Sequence, residues 1–114
     1  MPYINIQTGA TLAADTRQTI FKALGEVITA IPGKNAGNLM ISITDNADMV
    51  FAGENTTRCM YVGIQLHKAA GHEEKTKLIE ACYKLFTGAT GMDANDIYIT
   101  IQEFENWGAL GAWL

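Results

Sequence analysis

The residue best placed to do chemistry in this chain is Pro2, because it directly follows Met1. Initiator methionine is usually removed when the next residue is small, and proline qualifies. Removal would leave Pro2 with a free secondary amine, whereas any other proline is held in a tertiary amide. A free α-amino group titrates near ~8, and burial or a neighbouring cation lowers that pKa. The dipeptide therefore predicts either a general base for neutral pH or a proline that only begins a strand.

The cysteines and histidines offer less chemistry than Pro2 does. Cys59 and Cys82 form no C-x-x-C motif, which argues against a thioredoxin-like redox site and favours buried free thiols. His67 and His72 are the only histidines, too few for an obvious metal cage, although histidine and glutamate together could still bind a metal. We expect no metal site and no cofactor.

Composition indicates a single globular domain over residues 1–114. An apolar content of 48% and a net charge of −4 are typical of a folded chain. The acidic balance predicts no nucleic-acid partner. No apolar run approaches the ~18 residues of a membrane span, and the N-terminus lacks the basic and apolar regions of a signal peptide. We therefore expect a cytoplasmic protein with no membrane partner.

The chain resembles itself at a shift of 58 residues. The segment 39–43 aligns with 97–101, apolar on apolar and hydroxyl on hydroxyl, and Gly33 aligns with Gly91. Between these matches each half carries one apolar helical face, with spacing i, i+4, i+7, i+8 and i+11. The two faces consist of Ile20, Leu24, Val27, Ile28 and Ile31, and of Leu78, Cys82, Leu85, Phe86 and Ala89.

The repeat predicts an α+β fold in which a β-α-β unit occurs twice, as pseudo-repeats 2–44 and 58–103. A strand–helix–strand crossover implies parallel strands and right-handed winding within each half. Together the halves form a four-stranded sheet with two helices on one face. Strands are expected near 2–8, 38–44, 58–67 and 96–103, helices near 12–31 and 72–90, and a short edge strand around Met49–Ala52 in the connection 45–57.

The opposite face of this sheet lacks a cover. In the last strand, Tyr98, Thr100 and Gln102 point away from the helices, because successive side chains alternate between faces. Parallel pairs usually need both faces covered. Self-association into a closed ring would cover this face, so we expect an oligomer.

These features together resemble the tautomerase superfamily, and its macrophage migration inhibitory factor (phenylpyruvate tautomerase) branch in particular. The resemblance spans nearly the whole chain. It depends on the β-α-β repeat, on Met1-Pro2-Tyr3-Ile4-Asn5-Ile6 and on Gly33-Lys34 after the first helix. Further support comes from Asp96-Ile97-Tyr98-Ile99 in the last strand and from Asn106-Trp107-Gly108.

The resemblance implies a homotrimer, a trimeric barrel in which three sheets wrap together and active sites lie between subunits. In such a site Pro2 is the catalytic base and Lys34 binds a substrate carboxylate. Tyr98 is donated by a neighbouring subunit. The implied activity is keto–enol tautomerisation of a small α-keto acid such as phenylpyruvate, a small carboxylate-bearing substrate.

Each further candidate has a structural alternative beside the functional one. Lys34 could simply be a solvated lysine at a helix C-terminus, and Tyr98 could pack between subunits. Thr100 lines the pocket or is an ordinary strand residue. His67 and Lys68 contact substrate at the pocket mouth or form an exposed pair at a strand end. A last candidate, Trp107, forms an apolar pocket wall or anchors the tail, and Arg58 is held in reserve as an alternative cation.

Departures from the family pattern keep other functions open. Thr100 stands where cytokine-like members have asparagine, and the C-x-x-C and the usual tail are absent. The decarboxylase and dehalogenase branches use arginines after the third strand, where this chain has His67-Lys68-Ala69-Ala70. The alternatives are therefore a decarboxylase, hydratase or dehalogenase of a small carboxylic acid, or a non-catalytic signalling trimer.

Overall fold

Two β-α-β halves share one sheet in the computed structural model, which describes all of residues 1–114. The first half contains β1 (Pro2–Thr8), α1 (Ala14–Val27) and β2 (Met40–Thr44). The second contains β5 (Met60–His67), α2 (His72–Thr90) and β6 (Ile97–Phe104). Two small hairpins complete the fold: β3 (Val50–Phe51) with β4 (Glu54–Asn55), and β7 (Gly108–Ala109) with β8 (Ala112–Trp113).

The main sheet has the strand order β2-β1-β5-β6. Strands are parallel within each half, and β1 and β5 are antiparallel where the halves meet. Tyr3 pairs with Met40 in the first half, and Tyr61 pairs with Tyr98 in the second. The second pair is the first pair shifted by 58 positions in both strands. The predicted α+β class and four-stranded sheet are confirmed.

One face of the sheet and both helices enclose the core. The predicted helical faces supply much of it, because Ile20, Leu24, Leu78 and Phe86 are fully buried. Burial of large aliphatic and aromatic side chains is the dominant stabilising contribution to such a domain. The opposite face remains open, and Met40 and Tyr98 on it are 68% and 61% exposed.

Local geometry moves several predicted boundaries. The helix expected over 12–31 ends at Val27 and continues as a 3-10 turn over Ile28–Ala30. A second 3-10 turn, capped by Asn35, occupies the expected start of β2. Gly91 ends α2 in the left-handed conformation, as expected of a C-terminal glycine.

The hairpins correct the sequence interpretation more substantially. The single edge strand expected around Met49–Ala52 is a hairpin, since Ala52 and Gly53 both have positive φ, 54° and 83°. Leu110 and Gly111 form the same kind of turn in the tail, which the sequence analysis did not predict. Two-residue turns of this type match the twist of paired strands and need positive φ at both positions.

Both cysteines are free and buried, as predicted. Burial raises the pKa of the Cys82 thiol to about 12, so this thiol stays protonated at neutral pH. Neither helix has the length and apolar character required to cross a bilayer.

Candidate functional site

Pro2 lies buried at the start of β1, where it pairs with Leu66 near the end of β5. The preceding residue also belongs to the sheet network, because the carbonyl oxygen of Met1 accepts a hydrogen bond from the His67 N–H at 3.2 Å. While Met1 is attached, the Pro2 nitrogen is an amide without basicity. Removal of Met1 would create an amine at this buried strand end.

Lys34 approaches the same end of the sheet from the first helix. The chain turns at Gly33, with φ of 80°, and the Lys34 N–H returns to the Ile31 carbonyl at 3.1 Å. The lysine side chain then donates from Nζ to the His67 carbonyl at 3.2 Å. This contact fixes the ammonium group beside the start of β1, although the two belong to distant parts of the sequence.

The environment of the N-terminal amine favours its neutral form. The pKa of the Met1 α-amine is lowered from 8.0 to about 6. Burial is the largest cause, followed by the hydrogen bond to Lys34 and the charge of Lys34. Burial and the Lys34 ammonium thus both disfavour a positive charge on the Met1 amine.

Two cavities flank the N-terminal residues. The Lys34 cavity has a volume of about 420 Å³ and is bounded by Ile31, Pro32 and Lys34 beyond the 3-10 turn, by residues 67–71 and by Glu74. The Trp107 cavity, also about 420 Å³, is bounded by Met1–Tyr3, by 37–40 and by 107–110. One cavity therefore offers cationic groups, and the other offers the strand end and an aromatic wall.

His67 lines the Lys34 cavity and contacts Trp107, which lines the other cavity. The sequence allowed an exposed pair at the strand end, but His67 is only 8% exposed, and only Lys68 is in solvent. The imidazole packs beside Trp107, with ring centroids 6.3 Å apart, and Trp107 packs edge-on against Phe104 at 6.0 Å. The aromatic contacts bury the histidine, which strand alternation alone could not predict.

Tyr98 and Thr100 lie away from Pro2 within one chain. Tyr98 pairs with Tyr61, which pairs with Gln7, five positions along β1 from Pro2. At the strand rise this separation is about 16 Å. Tyr98 instead packs edge-on against Phe51 at 5.3 Å, and the Thr100 hydroxyl bonds the Tyr61 hydroxyl at 2.6 Å. A single chain thus brings together Pro2, Lys34, His67 and Trp107, without Tyr98 and Thr100.

Two further charged residues, Arg58 and Glu103, lie at opposite ends of the sheet. Arg58 precedes β5, whose first residue Met60 pairs with Thr8, so this arginine lies at the sheet end opposite Pro2. Glu103 near the end of β6 contacts the residues after β5, a role the sequence analysis missed. The sequence signal for this contact was the alternation of side chains along β6, which places Glu103 on the same face as Ile99 and Ile101.

No cluster of three or more histidine, cysteine or acidic side chains is arranged to hold a metal.

The family model described as macrophage migration inhibitory factor (MIF) matches residues 1–112. The chain belongs to this family. No curated protein matches the sequence.

Solved structures are similar to the chain in fold at low sequence identity. MIF2 of Leishmania major has a TM-score of 0.89 at 18% identity, over 100% of this chain and 97% of that one. A fused 4-OT described as a wild-type symmetric trimer has a TM-score of 0.86 at 20% identity, over 96% and 93%. Pt0534, described as inactivated by 2-oxo-3-pentynoate, has a TM-score of 0.83 at 20% identity, over 96% and 93%. These likenesses identify the tautomerase fold.

Proposed function

We propose that the protein, after removal of Met1, is a keto–enol tautomerase of a small α-keto acid of the phenylpyruvate type, with Pro2 as general acid and base. The observation that carries this proposal is the placement of Lys34 beside a partly buried chain end whose amine has a lowered pKa. A neutral amine next to a cation is the combination that proton abstraction beside a carboxylate requires.

The proposed reaction moves one proton twice. The Pro2 amine removes a proton from the carbon beside the substrate carbonyl, and the electron pair of that C–H bond forms the enolate. The Lys34 ammonium holds the carboxylate, and the Tyr98 hydroxyl of a neighbouring subunit donates a hydrogen bond to the developing enolate oxygen. The protonated Pro2 then returns the proton to the enolate oxygen, which restores the neutral amine.

Other residues take supporting roles in this proposal. Trp107 and His67 form the apolar side of the pocket, which suits an aryl substituent. Tyr98 and Thr100 come from a neighbouring subunit of a homotrimer. The description of a structure of similar fold as a symmetric trimer supports this arrangement. The two buried free thiols support a reducing compartment, and we propose the cytoplasm.

The test begins with intact mass, because the mechanism requires a chain without Met1. The processed protein is expected to interconvert the keto and enol forms of phenylpyruvate, and Pro2→Ala is expected to lose at least about 100-fold in kcat/KM, since general acid–base catalysis contributes about 10² to 10⁴-fold. Lys34→Met should raise KM, because it removes the charge that binds the substrate carboxylate, and Lys22→Met, on the exposed side of α1, is its matched control. Full activity in Pro2→Ala, or retention of Met1 in the native protein, would exclude this mechanism.

A labelling experiment separates this activity from the alternatives. The compound 2-oxo-3-pentynoate carries a ketone beside its carboxylate and an electrophilic alkyne, so it should modify the processed amine at Pro2. Labelling of Pro2 without phenylpyruvate turnover would favour the decarboxylase, hydratase or dehalogenase alternatives, tested with chloroacrylate and malonate semialdehyde. Absence of both labelling and turnover would favour a non-catalytic trimer.

A further inference from the structure

Three contacts attach the residues after β5 to the end of β6. The Glu103 carboxylate accepts the Ala70 N–H at 2.5 Å and the Lys75 ammonium at 3.1 Å. The Lys68 N–H donates to the Phe104 carbonyl at 2.7 Å. Two of the three contacts belong to one side chain, Glu103, and both of its carboxylate oxygens are used.

The attached residues form a wall of the Lys34 cavity. We call residues 68–71 the cavity segment, and all four of them line that cavity. The segment begins in a costly conformation, because Lys68 has a φ of 71°, in the left-handed region that favours glycine. Such a backbone persists only where its surroundings hold it. The contacts to β6 supply that restraint.

Glu103 is an unusual residue for its position in the strand. It follows Ile97, Ile99 and Ile101 on the face of β6 that turns toward the helices. Its side chain is 28% exposed, and its carboxylate accepts hydrogen bonds from two donors. The Ala70 N–H, and then Lys75, lower the pKa of the Glu103 carboxyl, so the carboxylate is charged at neutral pH.

We propose that Glu103 is a positioning residue that holds the cavity segment so that His67 presents its carbonyl to Lys34. Glu103 touches neither substrate nor the reacting atoms. It acts through Ala70 on the segment that follows His67, and the His67 carbonyl accepts the Lys34 ammonium at 3.2 Å. This inference depends on the proposed function, because Lys34 there binds the substrate carboxylate. The amine of Pro2 lies on β1, outside the segment, so carboxylate binding should suffer more than proton transfer.

The kinetic test uses Glu103→Gln, which keeps the side-chain shape and removes its charge. We expect KM for phenylpyruvate to rise about fivefold to tenfold, the effect of weakening one charge-assisted hydrogen bond, while kcat stays within about twofold. Glu105→Gln is the matched control, because Glu105 is an exposed acidic residue just beyond β6. Lys75→Met should give a smaller rise that disappears in the Glu103→Gln background, since both changes act on one contact.

A second measurement does not require activity. Amide hydrogen exchange at Ala70 and Lys68 should accelerate in Glu103→Gln and stay unchanged in Glu105→Gln, with Ile64 in the central strand as the internal reference. Unchanged exchange at Ala70 would overturn the anchoring role whether or not the protein is an enzyme. Faster exchange with an unchanged KM would overturn the positioning role. An inactive processed wild type that still shows faster exchange would count against the proposed function and leave the anchoring confirmed.

Discussion

At the scale of single residues, the N-terminal amine and Lys34 form an unfavourable pair of cations. Partial burial and the nearby ammonium lower the pKa of the Met1 amine to about 6. An amine with this pKa is mostly neutral at pH 7 and has a free electron pair. The same surroundings would act on Pro2 after processing, which is why a lysine in this position matters to the proposed chemistry.

Lys34→Met should raise the pKa of the Met1 amine in a chain that retains Met1. The value should move from about 6 part of the way toward 8.0, because burial, the larger cause, remains after the lysine is removed. An NMR titration of the α-amine would measure it, with Lys22→Met as the control. An unchanged pKa in Lys34→Met would show that Lys34 does not act on the amine.

The same pair makes stability depend on pH. Because the amine pKa is lower in the folded state, the unfolded state binds more protons between pH 6 and 8. The free energy of unfolding should therefore rise from pH 6 to pH 8, and this contribution is lost as the pH falls through the folded pKa. In Lys34→Met the rise should be smaller, as urea unfolding at the two pH values would measure.

At the scale of secondary-structure elements, α2 contributes the largest fully buried side chain of the core. Phe86 is 0% exposed and lies on the helical face that packs on the sheet. Phe86→Ala should lower the free energy of unfolding by about 3–5 kcal/mol, since truncation loses apolar burial and leaves a cavity. Urea unfolding at pH 8 would measure this.

Lys84→Ala provides the matched control for that substitution. Lys84 lies on the same helix and is exposed, so its truncation should stay within about 0.5 kcal/mol of wild type. Equal effects of the two substitutions would mean that α2 does not pack through the face of Phe86.

The elements also show which structural features the sequence could predict. Periodicity identified both helical faces, because apolar spacing reflects burial directly. Helix ends and hairpins depend on local backbone energies, and the turn at Leu110-Gly111 puts a leucine at positive φ, against its usual preference. Periodicity carries no information about such a turn.

The sequence indicated single residues of the candidate site but few of their contacts. The Met1-Pro2 dipeptide singled out Pro2, the resemblance added Lys34, and the fold brings these two parts of the chain together. The burial of His67 depends on its contact with Trp107, about 40 positions away in sequence. The contact of Glu103 with Ala70 likewise joins distant segments. Contacts of this kind follow from the tertiary arrangement, which single-residue patterns do not encode.

At the scale of the whole molecule, the open sheet face and the separation of Tyr98 from Pro2 have a common explanation in the proposed trimer. Met40 and Tyr98 are largely exposed in the single chain. A neighbouring subunit that covered this face would also carry its own Tyr98 toward another Pro2. The site would then be complete only in the assembly.

Mixing two inactive variants tests this arrangement. Pro2→Ala and Tyr98→Phe chains, unfolded and refolded together in equal amounts, should recover about a quarter of wild-type activity. One site in four then combines an intact Pro2 with an intact Tyr98 from the next subunit of a closed ring. The separately refolded variants are the controls. Recovery no greater than the sum of the controls would mean that both residues serve the site of one chain, or that Tyr98 has no role.

The identical strand register in the two halves has a consequence for the symmetry of the molecule. A shift of 58 residues carries Pro2 onto Met60 and Lys34 onto Met92, so the fold has two equivalent corners. Met60 lies within the chain, so its nitrogen is a backbone amide, and the Met92 side chain carries no charge. Only the Pro2 corner would combine an amine with a cation, so labelling of the processed chain should stop at one equivalent.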